Sequence, residues 1–226
     1  MKNLENIQIY LADQRGCSQT DIFRSFHTFN FGNYYDENCE AFGDLQSFND
    51  DTLSAEHSLK IQLLENINVI IIPIIGGLEY HNAQQNGFLE AGMGLFLSLS
   101  KDTDYEIINP YENEYINFIQ IWLKKPSHDF SQKVEEFSFD LTNKNQLLPI
   151  FSINHQEGFI GKYEGRKKEE FTVKNPQSGV FIFVIEGVFE LQDRLLHARD
   201  GLAISGVEMI DFEALSNDAV ILVIVM

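Results

Sequence analysis

Residues 24–51 read RSFHTFNFGNYYDENCEAFGDLQSFNDD, and this aromatic, glycine-punctuated stretch decides the fold. Outward from it, short runs rich in Ile, Val, Phe and Leu alternate with clusters of Gly, Asn and Asp. No run keeps an apolar 3.6-residue period long enough to indicate a helix, whereas short apolar runs between turn residues are typical of strands. The pattern predicts a mainly β chain. Pro73 removes one ladder hydrogen bond, so its strand is expected to be bulged or at a sheet edge there.

A weak internal repeat predicts that a β unit is duplicated. Two glycine turns, at Gly76 and Gly187, can be aligned with each other. The matches that follow are Leu78 with Phe189, Glu79 with Glu190, Gly94 with Gly201, and Leu95 with Leu202. Each copy reads as strand, glycine-containing turn and strand, as expected for two barrels. Any two β-meanders can share Gly and Leu at such spacings, so this alternative stays open.

The charged segment around Pro126 sets the expected domain boundary, because polar segments with proline are typical of surface connectors. We expect an N-terminal barrel at 1–125, a connector at 126–146 and a C-terminal barrel at 147–226. Glu135 and Glu136 are expected in a short helical turn. The apolar run 219–226 is expected to be a buried strand that can pair with the N-terminal strand 6–12, within one chain or across a dimer.

The composition excludes two classes of partner. Sixteen Lys and Arg against 34 Asp and Glu give a net charge of -18 and a pI near 4.6. Such a surface is repelled by nucleic-acid backbones and anionic membranes, so neither is expected as a partner; solubility alone also explains the charge. The two cysteines lack zinc-ligand spacing, and the first residues lack a secretory signal pattern. The sequence therefore predicts a cytoplasmic protein, monomeric or dimeric.

Several separated segments resemble the pirin and pirin-like quercetinase family, whose members are two-domain cupins. The matching segments are 24–26, 31–36, 42–51, 120–122 and 200–204. The resemblance implies an all-β fold of two tandem cupin barrels, that is, jelly-roll-like double-stranded β-helices. It also implies that Tyr34, Tyr35 and Asp36 pack beside the first barrel. Members of that family bind a divalent transition metal, commonly iron, in the first barrel through three His and one Glu, a donor set that suits such ions.

The chain departs from this family where the first two metal ligands should stand. None of its six histidines forms a His-x-His pair. Counting back from the glycine turn at 76–77 places the pair on Leu63 and Glu65. Counting forward from Asn49 places it on Gln62 and Leu64. Neither register supplies an imidazole.

The second half of the family's site, His-x-Glu, is missing as well. Counted from the later glycine turn at Gly92, it falls on Tyr105 and Ile107, or on Tyr105 and Glu106 with a slip of one residue. We therefore expect no cofactor. The former metal site is expected to be a pocket lined by Leu63, Leu64, Glu65, Tyr105 and Glu106.

The leading hypothesis is a metal-free bicupin that binds an unknown small molecule or protein and is not catalytic. The alternative is an oxygenase similar to quercetin 2,3-dioxygenase, holding Fe or another divalent transition metal through an altered ligand set. That set would come from His57, Glu65, Tyr105 and Glu106. A lone histidine in a polar stretch is more often a solvated surface residue, which weighs against ligation by His57.

Overall fold

The computed structural model describes residues 6–126, 129 and 131–226. Within the expected connector, residues 127, 128 and 130 lie outside the described part. The chain divides into two compact units. The N-terminal unit lies within residues 16–138, and the C-terminal unit comprises residues 139–226 together with the described residues 6–15. Across the described residues no helix is long and apolar enough to cross a membrane.

The N-terminal unit is built from β-strands. Its strands are β2 (Gly16–Gln19), β3 (Phe23–His27), β4 (Leu45–Leu53), β5 (Ser58–Gln62), β6 (Ile67–Ile75), β7 (Leu78–Asn82), β8 (Asn86–Leu89), β9 (Met93–Leu99), β10 (Asp104–Ile108), β11 (Ile116–Lys124) and β12 (Lys133–Ser138). They form a seven-stranded sheet in the order β12-β9-β6-β11-β4-β3-β2 and a four-stranded sheet in the order β5-β10-β7-β8. One apolar cluster contains inward-facing side chains of both sheets, and it is the core of this barrel.

The C-terminal unit repeats this plan. Its elements are β1 (Asn6–Tyr10), a 3-10 turn (Ala12–Gln14), β13 (Leu147–Ile153), β14 (Gln156–Tyr163), β15 (Lys168–Thr172), β16 (Gly179–Glu186), β17 (Val188–Leu191), β18 (Arg194–His197), β19 (Gly201–Ser205), β20 (Met209–Ala214) and β21 (Ala219–Val225). They form a six-stranded sheet, β1-β19-β16-β21-β14-β13, and a four-stranded sheet, β15-β20-β17-β18. The fold is therefore the expected all-β pair of tandem cupin barrels.

The repeat that the sequence suggested is visible in the strand order. β9-β6-β11-β4-β3 in one barrel corresponds to β19-β16-β21-β14-β13 in the other, and β5-β10-β7-β8 corresponds to β15-β20-β17-β18. Gly76 and Gly187 end the equivalent strands β6 and β16 with positive φ angles of 75° and 81°. Glycine adopts this left-handed conformation without the steric cost of a Cβ atom.

The strand β6 has the amino-acid composition of a central strand that is buried on both faces. Ile and Val dominate it, and both of its faces are buried up to Pro73, as suits a central strand. Pairing with β9 stops at Ile71, and the register with β11 shifts opposite Pro73. The proline therefore sits at a bulge where one side of the ladder has ended, which confirms the expected irregularity.

Two local expectations need correction. Glu135 and Glu136 lie in the edge strand β12, paired with β9, and not in a helical turn; Val134 packs on the core from this strand, which fixes it to the sheet. The terminal strand β21 does not pair with β1. Both edges of β21 are taken by β14 and β16, so β1 pairs antiparallel with β19 instead.

Candidate functional site

The strand pair β5 and β10 carries the positions where the resemblance implies metal ligands. Tyr105 is the register partner of Ile61, and the backbone N–H of Leu63 donates to the carbonyl of Thr103 at 2.9 Å. Side chains along β5 alternate between exposed and partly buried. Ile61 and Leu63 therefore point into the barrel core, together with Tyr105 and Ile107 from β10.

This facing differs from both registers counted in the sequence. One count gave Leu63, which faces inward, together with the exposed Glu65. The other count gave Gln62 and Leu64, which are both exposed. Alternation along a strand lets residues i and i+2 share a face, and the pair that faces inward is Ile61 and Leu63. Both counts missed Ile61, because they placed the first ligand one and two residues further along the chain. The period of two in apolar residues from Leu59 to Leu63 was the signal that could have found it.

The structure separates the five residues expected to line the pocket. Leu63 and Tyr105 are buried in the core, at 0% and 1% exposure. Leu64 is 81% exposed, and Glu65 is also exposed on the same turn. Glu106 faces outward and accepts a hydrogen bond from Ser58 Oγ at 2.6 Å. Leu64, Glu65 and Glu106 thus do not line the barrel interior.

His57 lies on the surface as well. The residue is exposed, and its Nδ1 atom is 2.7 Å from the carbonyl oxygen of Ala55. The altered ligand set of the alternative hypothesis is therefore divided between the barrel interior, with Tyr105, and the outside. Across the described residues, no group of three or more His, Cys, Asp and Glu side chains is placed to hold a metal ion.

Tyr105 belongs to a buried polar layer inside the N-terminal barrel. Its hydroxyl donates to Gln120 Oε1, which also accepts from Trp122 Nε1 at 2.9 Å. Gln120 Nε2 in turn donates to Asp51 Oδ2 at 2.8 Å. Burial raises the pKa of Tyr105 well above 10, so the phenol stays protonated at neutral pH.

Asp51 is the most perturbed acid of this layer. Burial raises its pKa from 3.8 to about 7, and the nearby charge of Asp50 adds to the increase, while hydrogen bonds from Ser25 and Gln120 oppose it. Among the described residues, Asp51 Oδ1 has no hydrogen-bond partner. A buried carboxyl in such surroundings is partly neutral near pH 7.

His27 extends the same layer and was also missed. It is 1% exposed, with Nδ1 at 2.9 Å from Asn49 Oδ1 and Nε2 at 2.8 Å from Ser18 Oγ. The ring of Tyr34 stacks on the imidazole, with centroids 5.9 Å apart. This contact packs Tyr34 against the barrel, in the structural role that the resemblance implied, whereas Tyr35 is 74% exposed. The alternation of Ser25 and His27 along β3 was the available signal.

Known proteins are similar to this chain over most of its length. A family model described as the quercetinase C-terminal cupin domain matches residues 154–226. Quercetin 2,3-dioxygenase of Escherichia coli K12 is 26% identical over 226 residues, spanning 95% of this chain and 97% of the relative. The C-terminal barrel thus matches the quercetinase cupin model, and the chain as a whole is similar to pirin-like quercetinases. A putative quercetin 2,3-dioxygenase of Pasteurella multocida is 24% identical across 96% of this pirin-like chain and 98% of its own length.

Solved structures give the same fold for this pirin-like protein. The bacterial pirin YhhW of Escherichia coli, in complex with nickel(II), superposes with a TM-score of 0.87 at 20% identity. The match covers 98% of this chain and 99% of YhhW. YhaK of Escherichia coli superposes with a TM-score of 0.72 at 18% identity, covering 86% of this chain and 91% of YhaK. At this identity the similarity establishes the architecture, while the function depends on the residues inside the barrels.

Proposed function

We propose that this pirin-like protein has lost the transition-metal site of its family and acts as a non-catalytic module that binds a small molecule or a protein. One observation carries the proposal. The inward-facing positions of the β5 and β10 pair are Ile61, Leu63, Tyr105 and Ile107, and all four belong to or pack against the apolar core. Transition metals in proteins are held by imidazole, thiolate and carboxylate donors, and these positions offer none.

The residues present do not fit such an ion. Aliphatic side chains have no lone pair to donate, and transferring a divalent cation from water into apolar surroundings is strongly unfavourable. Tyr105 is the one heteroatom donor among the four positions. As a ligand its phenol would have to lose the proton that it donates to Gln120, and burial opposes that loss by raising its pKa.

Metal analysis tests the proposal. The chain is purified without chelator, analysed by inductively coupled plasma mass spectrometry, then incubated with Fe(II) or Ni(II) and freed of excess metal. Bacterial pirin YhhW, whose structure contains nickel(II), is treated in parallel as the positive control. We expect far less than one metal per chain before and after reconstitution, while YhhW retains its metal. Stoichiometric metal in this chain would overturn the proposal.

The oxygenase alternative makes a different prediction with the same samples. It requires oxygen consumption with a flavonol after metal reconstitution, abolished by Glu65→Ala. Because Glu65 is exposed while Tyr105 is buried, we expect no metal-dependent turnover. Turnover that Glu65→Ala removes would replace the binding-module proposal with the enzymatic one.

A cytoplasmic location is part of the proposal. Cys17 is exposed and Cys39 is half-buried, and both are free thiols. Free thiols persist most readily in a reducing compartment. Fractionation of the native cell, followed by immunodetection, tests this location, and recovery outside the cytoplasm would contradict it.

A further inference from the structure

The C-terminal barrel contains a cavity of about 330 Å³ at one end of its core. Val173 and Val225 form part of its wall and are members of the core cluster, with exposures of 3% and 8%. Phe159 and Phe171 line it as well, and both pack against the same cluster. The cavity thus opens onto apolar side chains from the barrel interior, as small-molecule sites usually do.

The two phenylalanines make an aromatic wall. Their ring centroids lie 5.1 Å apart with an interplanar angle of 65°, an edge-to-face arrangement. Both rings are only partly buried, so each has aromatic surface that solvent still reaches. A flat aromatic ligand gains both apolar burial and favourable ring contacts from such a wall.

An ion pair between Lys174 and Glu157 lies at the rim of this cavity. Lys174 Nζ donates to the two carboxylate oxygens of Glu157 at 2.8 and 3.0 Å. The side chain of Lys174 is 79% exposed and that of Glu157 is 25% exposed. The rim therefore offers an ammonium donor and a carboxylate acceptor close together. Ser178, which is half-buried, also lines the cavity.

We propose that this cavity binds a hydroxylated aromatic molecule of one or two rings. The apolar wall suits the rings, and an aromatic hydroxyl can donate to Glu157 while it accepts from Lys174. A ligand that carries a carboxylate in place of the hydroxyl can only accept hydrogen bonds. It is also repelled by the charge of Glu157 and by the net charge of -18 on the chain. The volume of about 330 Å³ lies at the small end of the usual range for ligand sites.

The place of the cavity in the fold supports this assignment. Leu63 N–H donates to Thr103 O in the first barrel, and Val173 N–H donates to Glu208 O in the second, both at 2.9 Å. Val173 therefore occupies the position of Leu63, at the equivalent strand pair of the duplicated unit. The proposal goes beyond the lost metal site, because it assigns a ligand class to the other barrel and holds whatever the metal content of the first.

Titration of the full-length chain with 2-naphthol tests the proposal. Isothermal titration calorimetry is expected to show saturable 1:1 binding, and amide shifts in the ¹H–¹⁵N spectrum are expected around Phe171 and Lys174. Lys174→Ala removes one charge-assisted hydrogen bond, so Kd should rise about tenfold. Phe171→Leu keeps an apolar side chain but loses the ring, and Kd should rise by a similar factor.

Matched controls keep the test specific. Lys60→Ala breaks another exposed ion pair, with Asp104 at 3.1 Å, and Phe88→Leu changes a 45% exposed phenylalanine, both in the N-terminal unit. Both controls should bind 2-naphthol like the wild type. The absence of saturable binding, or equal binding by Lys174→Ala and Lys60→Ala, would overturn the site. Binding of 2-naphthoate as tight as that of 2-naphthol would overturn the ligand class.

Discussion

The two barrels share a strand order but differ in what they bury. In the first barrel, Gln120 lies opposite Asn49 on one side and Ile71 on the other. In the second, the equivalent row places Val223 opposite Phe159 and Ile182. One barrel thus keeps a buried amide layer where the other is wholly apolar. The cupin frame tolerates both interiors, so chemistry must be derived from inward-facing side chains and not from the fold.

The two barrels are alike at the strand pair where the resemblance places the metal ligands. Ile61 and Leu63 project into the first core, and Phe171 and Val173 occupy the equivalent places in the second. Here the two barrels agree, because all four of these side chains are apolar. The first barrel therefore resembles the second at the position where a metal centre would need donors. This agreement is the physical basis of the metal-free proposal.

The largest expected effect comes from truncating the inward-facing leucine of this comparison. Leu63→Ala should lower the free energy of unfolding by about 2–5 kcal/mol, because it leaves a cavity in a packed core. The equivalent Val173→Ala should cost about 1–2 kcal/mol, since two methyl groups are removed beside an existing cavity. Urea unfolding followed by Trp122 fluorescence reports the first barrel, and circular dichroism reports the two barrels together.

The adjacent Leu64 provides a matched control in the same turn. Its side chain is 81% exposed, so Leu64→Ala should change the free energy of unfolding by less than about 0.5 kcal/mol. Equal losses for Leu63→Ala and Leu64→Ala would show that Leu63 is not in a packed interior, and they would break the comparison between the barrels.

The buried polar layer predicts a pH dependence in the first barrel. Burial raises the pKa of Asp51 from 3.8 to about 7, so between these values the folded state keeps a proton that the unfolded chain releases. Stability should therefore fall as pH rises from about 4 to about 7, by up to about 4 kcal/mol. Asp51→Asn should lack this fall when Trp122 fluorescence is followed in urea at several pH values.

Asp104→Asn is the control for this pH experiment. Asp104 lies in the same unit, and its side chain is 46% exposed, so the variant should keep the wild-type pH dependence. An identical pH response of Asp51→Asn and the wild type would show that Asp51 is ionised in the folded barrel at low pH. The polar layer would then add no pH dependence to the free energy of unfolding, which would contradict the contrast drawn between the two barrels.

A smaller effect is expected from Tyr105→Phe. The variant removes the hydroxyl that donates to Gln120, while Trp122 still donates to the same oxygen at 2.9 Å. The expected cost is about 1 kcal/mol in urea unfolding, typical of one hydrogen bond. Metal content should not change, whereas loss of a bound metal in Tyr105→Phe would identify the phenol as a ligand.

The fold could be predicted from the sequence because several local patterns indicated it independently. The opening stretch at 24–51, the apolar runs between glycine turns and the alignment of Gly76 with Gly187 all indicated paired β-barrels. Strand pairing was less accessible. The N-terminal strand was expected to pair with the terminal strand, and only the complete sheet shows that β21 has no free edge for it.

The site was harder to predict, because a shift of one residue moves a side chain to the opposite face of a sheet. Counting from Asn49 and from distant glycines gave Leu64, Glu65 and Glu106, which face outward, and missed Ile61. The polar layer of His27, Asp51 and Gln120 comes from three different strands. Such long-range convergence leaves no spacing in the sequence to recognise.

The central claim is that the described residues of the first barrel offer no donor set for a redox metal. Crystals grown with excess NiCl₂ and measured at the nickel absorption edge test it most directly, because anomalous scattering at that edge distinguishes nickel from water and lighter ions. We predict no anomalous peak among Ile61, Leu63, Tyr105 and Ile107. A strong peak there, with protein ligands about 2 Å from the ion, would contradict the account.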